Sequence, residues 1–169
     1  MGDSVKTGDH REYMRLALEQ ARQSPPSPTN FCVGALLVDA DENIVLASGY
    51  TLELEGNTHA EQCCMLKLAK KHSIEWEALG TILPPNVVLY TTMEPCGKRL
   101  SGNMPCVERI LRLGNAIKTV YVGVKEPEKF IGANVGRAKL EASGIEVVVV
   151  VGMEQEILRV AQAGHVSKT

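Results

Sequence analysis

Apolar residues at Tyr13, Met14, Ala17, Leu18 and Ala21 recur at the spacing of one helix face, and polar residues fill the gaps. Asp9 and Glu12 stand where a capping box opens such a helix. Pro25, Pro26 and Pro28 end it. Two extended runs follow, Cys32 to Val38 and Ile44 to Ser48, and the turn-forming residues Asp39 to Asn43 join them as a hairpin. A polar loop, Thr51 to Thr58, precedes a helix expected over His59 to Lys71. A connector containing Trp76, Pro84 and Pro85 leads to a strand, Val87 to Thr91. Pro105 then stands at a favoured helix start, and Gly114 stops that helix after Leu113. A strand at Thr119 to Val124, a helix capped by Asn134 and stopped by Gly144, a strand at Ile145 to Val151 and a helix at Met153 to Ala163 complete the pattern.

Strands alternating with helices predict an α/β protein, a three-layer α/β/α sandwich around a five-stranded mixed sheet. The last three strands are each separated by one helix, so right-handed crossovers make them parallel and the sheet mostly parallel. No repeat, low-complexity tract or linker divides the chain. Residues 1–8 read as a loose tail and 9–169 as a single domain.

Composition narrows the class. A chain of 169 residues with 44% hydrophobic and 22% charged residues can bury a core. The net charge of −2 and a pI near 6.1 offer no broad positive face and argue against a nucleic-acid partner. No apolar run approaches the roughly 18 residues of a membrane span, so no membrane partner is expected. Residues 1–10 lack the apolar stretch of a signal peptide. The cysteine count of 5 is odd, which fits a reducing, cytoplasmic setting in which cysteines pack or ligate rather than pair.

The chemistry concentrates in His59-Ala60-Glu61, Pro95-Cys96 and Pro105-Cys106. One imidazole and two thiolates make the three protein ligands of a catalytic zinc, whose fourth position is left for water. His59 and Glu61 fall on different faces of an ideal helix, so they converge only at a metal lying off its N-terminal end. The positive end of a helix dipole favours thiolate at Cys106, beside its own helix start. Glu61 is then free to move protons rather than to ligate. A lone His-Ala-Glu occurs by chance in many proteins, and lone cysteines are usually core. Cys32, Cys63 and Cys64 are read as core for that reason. What points to a site is the order: His-x-Glu opens a helix after a hairpin, Pro-Cys follows the next strand, and a second Cys opens the next helix.

With these motifs the chain resembles the cytidine-deaminase superfamily, whose zinc enzymes carry H-x-E and P-C-x-x-C. The segment Asn30-Phe31-Cys32-Val33-Gly34-Ala35 resembles the stretch whose Asn contacts the base. The resemblance thus implies substrate contacts at Asn30 and in the zinc motif at Ala60. The helix between the last two strands resembles the branch holding the tRNA, cytosine, guanine and riboflavin-pathway deaminases. In one respect the chain departs from most of the superfamily: Arg99 stands where the second cysteine is usual, and residues 97–105 separate Cys96 from Cys106. That long loop, ending in Pro-Cys, resembles the riboflavin-pathway pyrimidine deaminases, and Glu94 to Asn103 resembles their fungal branch. Lys98, Arg99, Ser101 and Asn103 supply cations and donors suited to a phosphate, with the solvated surface as the plain alternative. The resemblance implies zinc-dependent hydrolytic deamination of a small phosphorylated aminopyrimidine, 2,5-diamino-6-(ribosyl- or ribitylamino)pyrimidinone 5'-phosphate. The fungal likeness favours the ribityl form, because that branch reduces before deaminating. A homodimer is the implied assembly. Two rivals stand: a deaminase for another base, nucleoside or tRNA, and a catalytically silent zinc scaffold.

Overall fold

A computed structural model describes residues 8–97, 103–125 and 133–165. Five strands form one mixed sheet in the order β2-β1-β3-β4-β5. They are β1 (Gly34–Asp39), β2 (Ile44–Tyr50), β3 (Val87–Met93), β4 (Ile117–Val124) and β5 (Glu146–Val149). β1 runs antiparallel to both β2 and β3, while β3, β4 and β5 are parallel, as the crossover rule requires. The helices are α1 (His10–Ala21), α2 (Ala60–Lys71), α3 (Cys106–Arg112), α4 (Ala133–Ala142) and α5 (Glu154–Ala161). No helix among the described residues is long and apolar enough to cross a membrane.

Two cores flank the sheet. α1 and α5 cover one face with Met14, Leu18 and Ile157 against Leu36, Val38 and Tyr90. α2, α3 and α4 cover the other with Met65, Ile110 and Leu140 against Leu37, Leu89 and Val122. β3 is the central strand and is buried along its whole length, which explains its near-continuous apolar run. Gly34 is required where β1 begins. A Cβ there would stand 1.8 Å from the Ala17 carbonyl oxygen, so α1 lies directly on the strand.

Several boundaries shift for identifiable reasons. β1 starts at Gly34 rather than Cys32, because the Cys32 N–H goes to Ala161 O and the Val33 N–H to Thr51 Oγ1. β5 is shorter than expected: it is an edge strand bonded only to β4, and Gly152 turns the chain at φ +104°. α4 begins at Ala133, so Asn134 lies within its first turn instead of capping it. The connector at Trp76 forms a 3-10 helix, Trp76–Thr81, with Trp76 and Leu79 buried. At α1 half of the expected capping box forms. The Asp9 carboxylate accepts from the Glu12 N–H, but the Glu12 carboxylate pairs with Arg15 instead of returning.

Candidate active site

Parallel strands gather their C-terminal ends at one edge of a sheet, where ligands of open α/β folds bind. Here β3 ends at that edge and continues into Glu94-Pro95-Cys96. β1 is antiparallel to β3, with Ala35 opposite Thr91, so its N-terminal end and the preceding Asn30 segment adjoin the same edge. Two helices start there. His59 is the N-cap of α2 and Pro105 that of α3.

His59 is extended (φ −94°, ψ 160°), and its backbone N–H donates to the Gln62 side chain. Its ring is turned toward the cysteines. Nδ1 lies 3.6 Å from Cys96 Sγ and 3.5 Å from Cys106 Sγ, and one ligand atom from each of the three residues falls within 4.8 Å of the others. The α2 N-terminus comes this close because Gly49 has no side chain; a Cβ there would be 2.4 Å from the Ala60 carbonyl oxygen. Glu61, in the first turn of α2, is 4% exposed. Its Oε2 lies 3.4 Å from Cys106 Sγ, and its Oε1 accepts from the Thr91 hydroxyl at 2.9 Å. His59 and Glu61 therefore do converge off the end of the helix. Ala60, between them, is fully buried.

The charge distribution differs from the sequence expectation in one respect. The N-terminus of α3 serves Cys96 rather than Cys106: the Cys106 N–H donates to Cys96 Sγ at 3.3 Å and the Val107 N–H to Cys96 O at 3.1 Å. The Cys106 thiol hydrogen bond, together with His59 and the Cys106 N–H, brings Cys96 down to about 4. Cys106 is pushed well above the usual thiol range, first because it holds the proton shared with Cys96, then by burial and by Glu61. Burial raises the Glu61 carboxyl above its ordinary value, with the charge of His59 pulling the other way.

Cys32, Cys63 and Cys64 are buried free thiols, as the core reading expects. Asn30 is half-buried, and its carbonyl accepts from His165 Nε2 at 2.9 Å. Asn103 is exposed. Lys98, Arg99 and Ser101 lie outside the described residues. Two features were not anticipated from sequence, the Thr91 contact and a partly buried ion pair. Glu94, 5% exposed, bonds Arg137 of α4. Gly136, one residue earlier, packs so closely on Gly97 that a Cβ would meet its Cα at 3.3 Å. α4 is thereby fastened to the segment bearing Cys96.

An imidazole and two cysteine sulfurs that could hold a metal, with a buried carboxylate beside them, match the donor set of zinc deaminases. Residues 7–124 match the family model for the cytidine and deoxycytidylate deaminase zinc-binding region, and the chain belongs to that family. Within it, the chain is similar to the Rib2 deaminase of Aspergillus oryzae. The crystal structure of a C-terminal deletion mutant at pH 4.6 is 48% identical, with a TM-score of 0.85 and coverage of 92% of either chain. A structure of that enzyme in complex with DARIPP matches at 44% identity, covering 92% of this chain and 91% of that one, with a TM-score of 0.83. The diaminohydroxyphosphoribosylamino-pyrimidine deaminase of Schizosaccharomyces pombe is 35% identical over 97% of this chain, which spans only 38% of that relative's length.

Proposed function

We propose that this chain is a zinc-dependent deaminase that hydrolyses the exocyclic amine of 2,5-diamino-6-ribitylamino-pyrimidinone 5'-phosphate, with 9–169 as one catalytic domain working in the cytoplasm. The observation that carries this reading is the convergence of His59, Cys96 and Cys106 with a buried, non-ligating carboxylate beside them. The donor set fits zinc: one nitrogen and two sulfurs are the three protein ligands of a catalytic site whose fourth position goes to water. When bound, zinc supplies the Lewis acidity that makes water a nucleophile near neutral pH. His59, Cys96 and Cys106 hold the ion. Glu61 takes the proton of the attacking water at a carboxylate oxygen and gives it to the ring nitrogen; it then takes the proton of the hydroxyl just added to the ring carbon and passes it to the departing amine. Water is added and ammonia leaves. Burial of Glu61 keeps bulk water away from the proton in transit. A silent zinc scaffold has no need of such a carboxylate, and the likeness to enzymes named as pyrimidine deaminases supports the substrate class.

Asn30 and the buried Ala60 are assigned to the base, Lys98, Arg99, Ser101 and Asn103 to the phosphate end. The loop carries the choice of substrate, since metal and Glu61 suit many amines. Hydrogen bonds to charged groups contribute roughly 1.5–3 kcal/mol. Lys98→Ala or Arg99→Ala is therefore expected to cut kcat/KM on the 5'-phosphate by about ten- to a hundredfold. The loss on the dephosphorylated analogue is expected to be much smaller, and zinc content unchanged. Steady-state kinetics on the ribityl and ribosyl phosphates and their dephosphorylated forms checks this. Equal losses with and without the phosphate would return both cations to the solvated surface.

A further inference from the structure

The β3 sequence Val-Val-Leu-Tyr-Thr-Thr-Met breaks from apolar to hydroxyl residues while every position stays buried. Burying a hydroxyl is costly unless it is bonded, so both threonines need partners inside. Alternation along the strand sends them to opposite faces. Thr92 accepts the Gly34 N–H at 3.1 Å, closing the start of β1. Thr91, 0% exposed, faces the site: its Oγ1 lies 2.9 Å from Glu61 Oε1 and 2.8 Å from Met93 O.

We propose that Thr91 is a positioning residue that aims the Glu61 carboxylate, an inference that rests on the deaminase reading above. Thr91 sits on the most constrained strand of the sheet, opposite Ala35 of β1 on one side and Val122 of β4 on the other. Its β-branched side chain has little rotational freedom. The Glu61 carboxylate is thus held at Oε1 by a fixed hydroxyl, a contact that does not depend on the protonation of Cys106, whose sulfur lies 3.4 Å from Oε2. A carboxylate without the first contact turns about its last bond, and proton transfer is sensitive to such misplacement. The hydroxyl has one proton: it donates to Oε1 when the carboxylate is ionised, and when the carboxyl holds a proton it can accept from it and donate to the Met93 carbonyl, 2.8 Å away, so it stays bonded to Glu61 in either case.

Thr91→Val keeps volume and branching and removes the hydroxyl; Thr91→Ser keeps the hydroxyl and removes the methyl. Thr91→Val is expected to lower kcat on the phosphorylated pyrimidine by about ten- to a hundredfold, with KM and zinc content unchanged, while Thr91→Ser recovers most of the rate. Crystal structures of the zinc-loaded variants are expected to show the Glu61 carboxylate rotated in Thr91→Val and in place in Thr91→Ser. If Thr91→Val does not fold, Thr91→Ala against Thr91→Ser makes the same comparison. Should the wild type release no ammonia from this substrate, the substrate reading fails, and the position of Glu61 in the crystal structures alone decides the role of Thr91. Wild-type kcat in Thr91→Val, a loss carried by KM or by zinc, a Thr91→Ser as slow as Thr91→Val, or an unmoved carboxylate would each overturn the proposal.

Discussion

Glu61→Gln is expected to keep the fold and the zinc and to lose about 10² to 10⁴ in turnover, the usual worth of general acid–base help. The amide has nearly the shape of the carboxylate, and its oxygen can still accept from Thr91 Oγ1, 2.9 Å away in the wild type. Packing around this buried side chain is therefore preserved. What is lost is the proton carrier. Because one group serves the attacking water, the ring nitrogen and the leaving amine, the upper half of that range is the expected result. Ammonia release and elemental analysis on the same preparation separate the two effects. Near-normal turnover with full zinc would mean that another residue moves the protons.

Removing a ligand acts further back. His59→Ala, Cys96→Ala and Cys106→Ala are each expected to lose the metal and to drop turnover to the limit of detection. Zinc at a hundred times its Kd would stabilise the fold by about 2.7 kcal/mol. At about 2–4 °C per kcal/mol for a domain of this size, chelation of the wild type is expected to lower Tm by roughly 5–10 °C. The ligand variants start from that lower value and do not respond to chelator. Cys32→Ser, Cys63→Ser and Cys64→Ser are the controls. Each places a hydroxyl in the core and lowers stability, yet each is expected to hold about one zinc per chain, because none of these sulfurs belongs to the convergent set. A Cys106→Ala protein with full zinc would remove Cys106 from the site.

What was legible in the sequence was local. The helical period of Tyr13 to Ala21, the Asp39–Asn43 turn, and Gly114 and Gly144 as stops with positive φ each depend on a few neighbouring residues. The three candidate ligands were legible because His59 and Cys106 stand at helix starts and Pro95-Cys96 follows a strand, all at one end of the sheet. What was not legible depends on contacts between distant segments. Thr91 reads as an ordinary strand residue until α2 brings Glu61 onto it. Glu94 and Arg137 are far apart in sequence, and no spacing links them. The thiolate was expected on Cys106 because that residue starts a helix; in three dimensions the first N–H groups of α3 point at Cys96 instead. The only sign available for Thr91 was two hydroxyl residues ending an apolar run.

The most direct test is ammonia release from the purified chain with 2,5-diamino-6-ribitylamino-pyrimidinone 5'-phosphate, measured as isolated, after removal of metal by a chelator, and after zinc is returned. The account predicts one ammonia per pyrimidine consumed, activity abolished by the chelator and restored by zinc. Full activity in metal-free protein, or no ammonia from a chain holding one zinc, would contradict it.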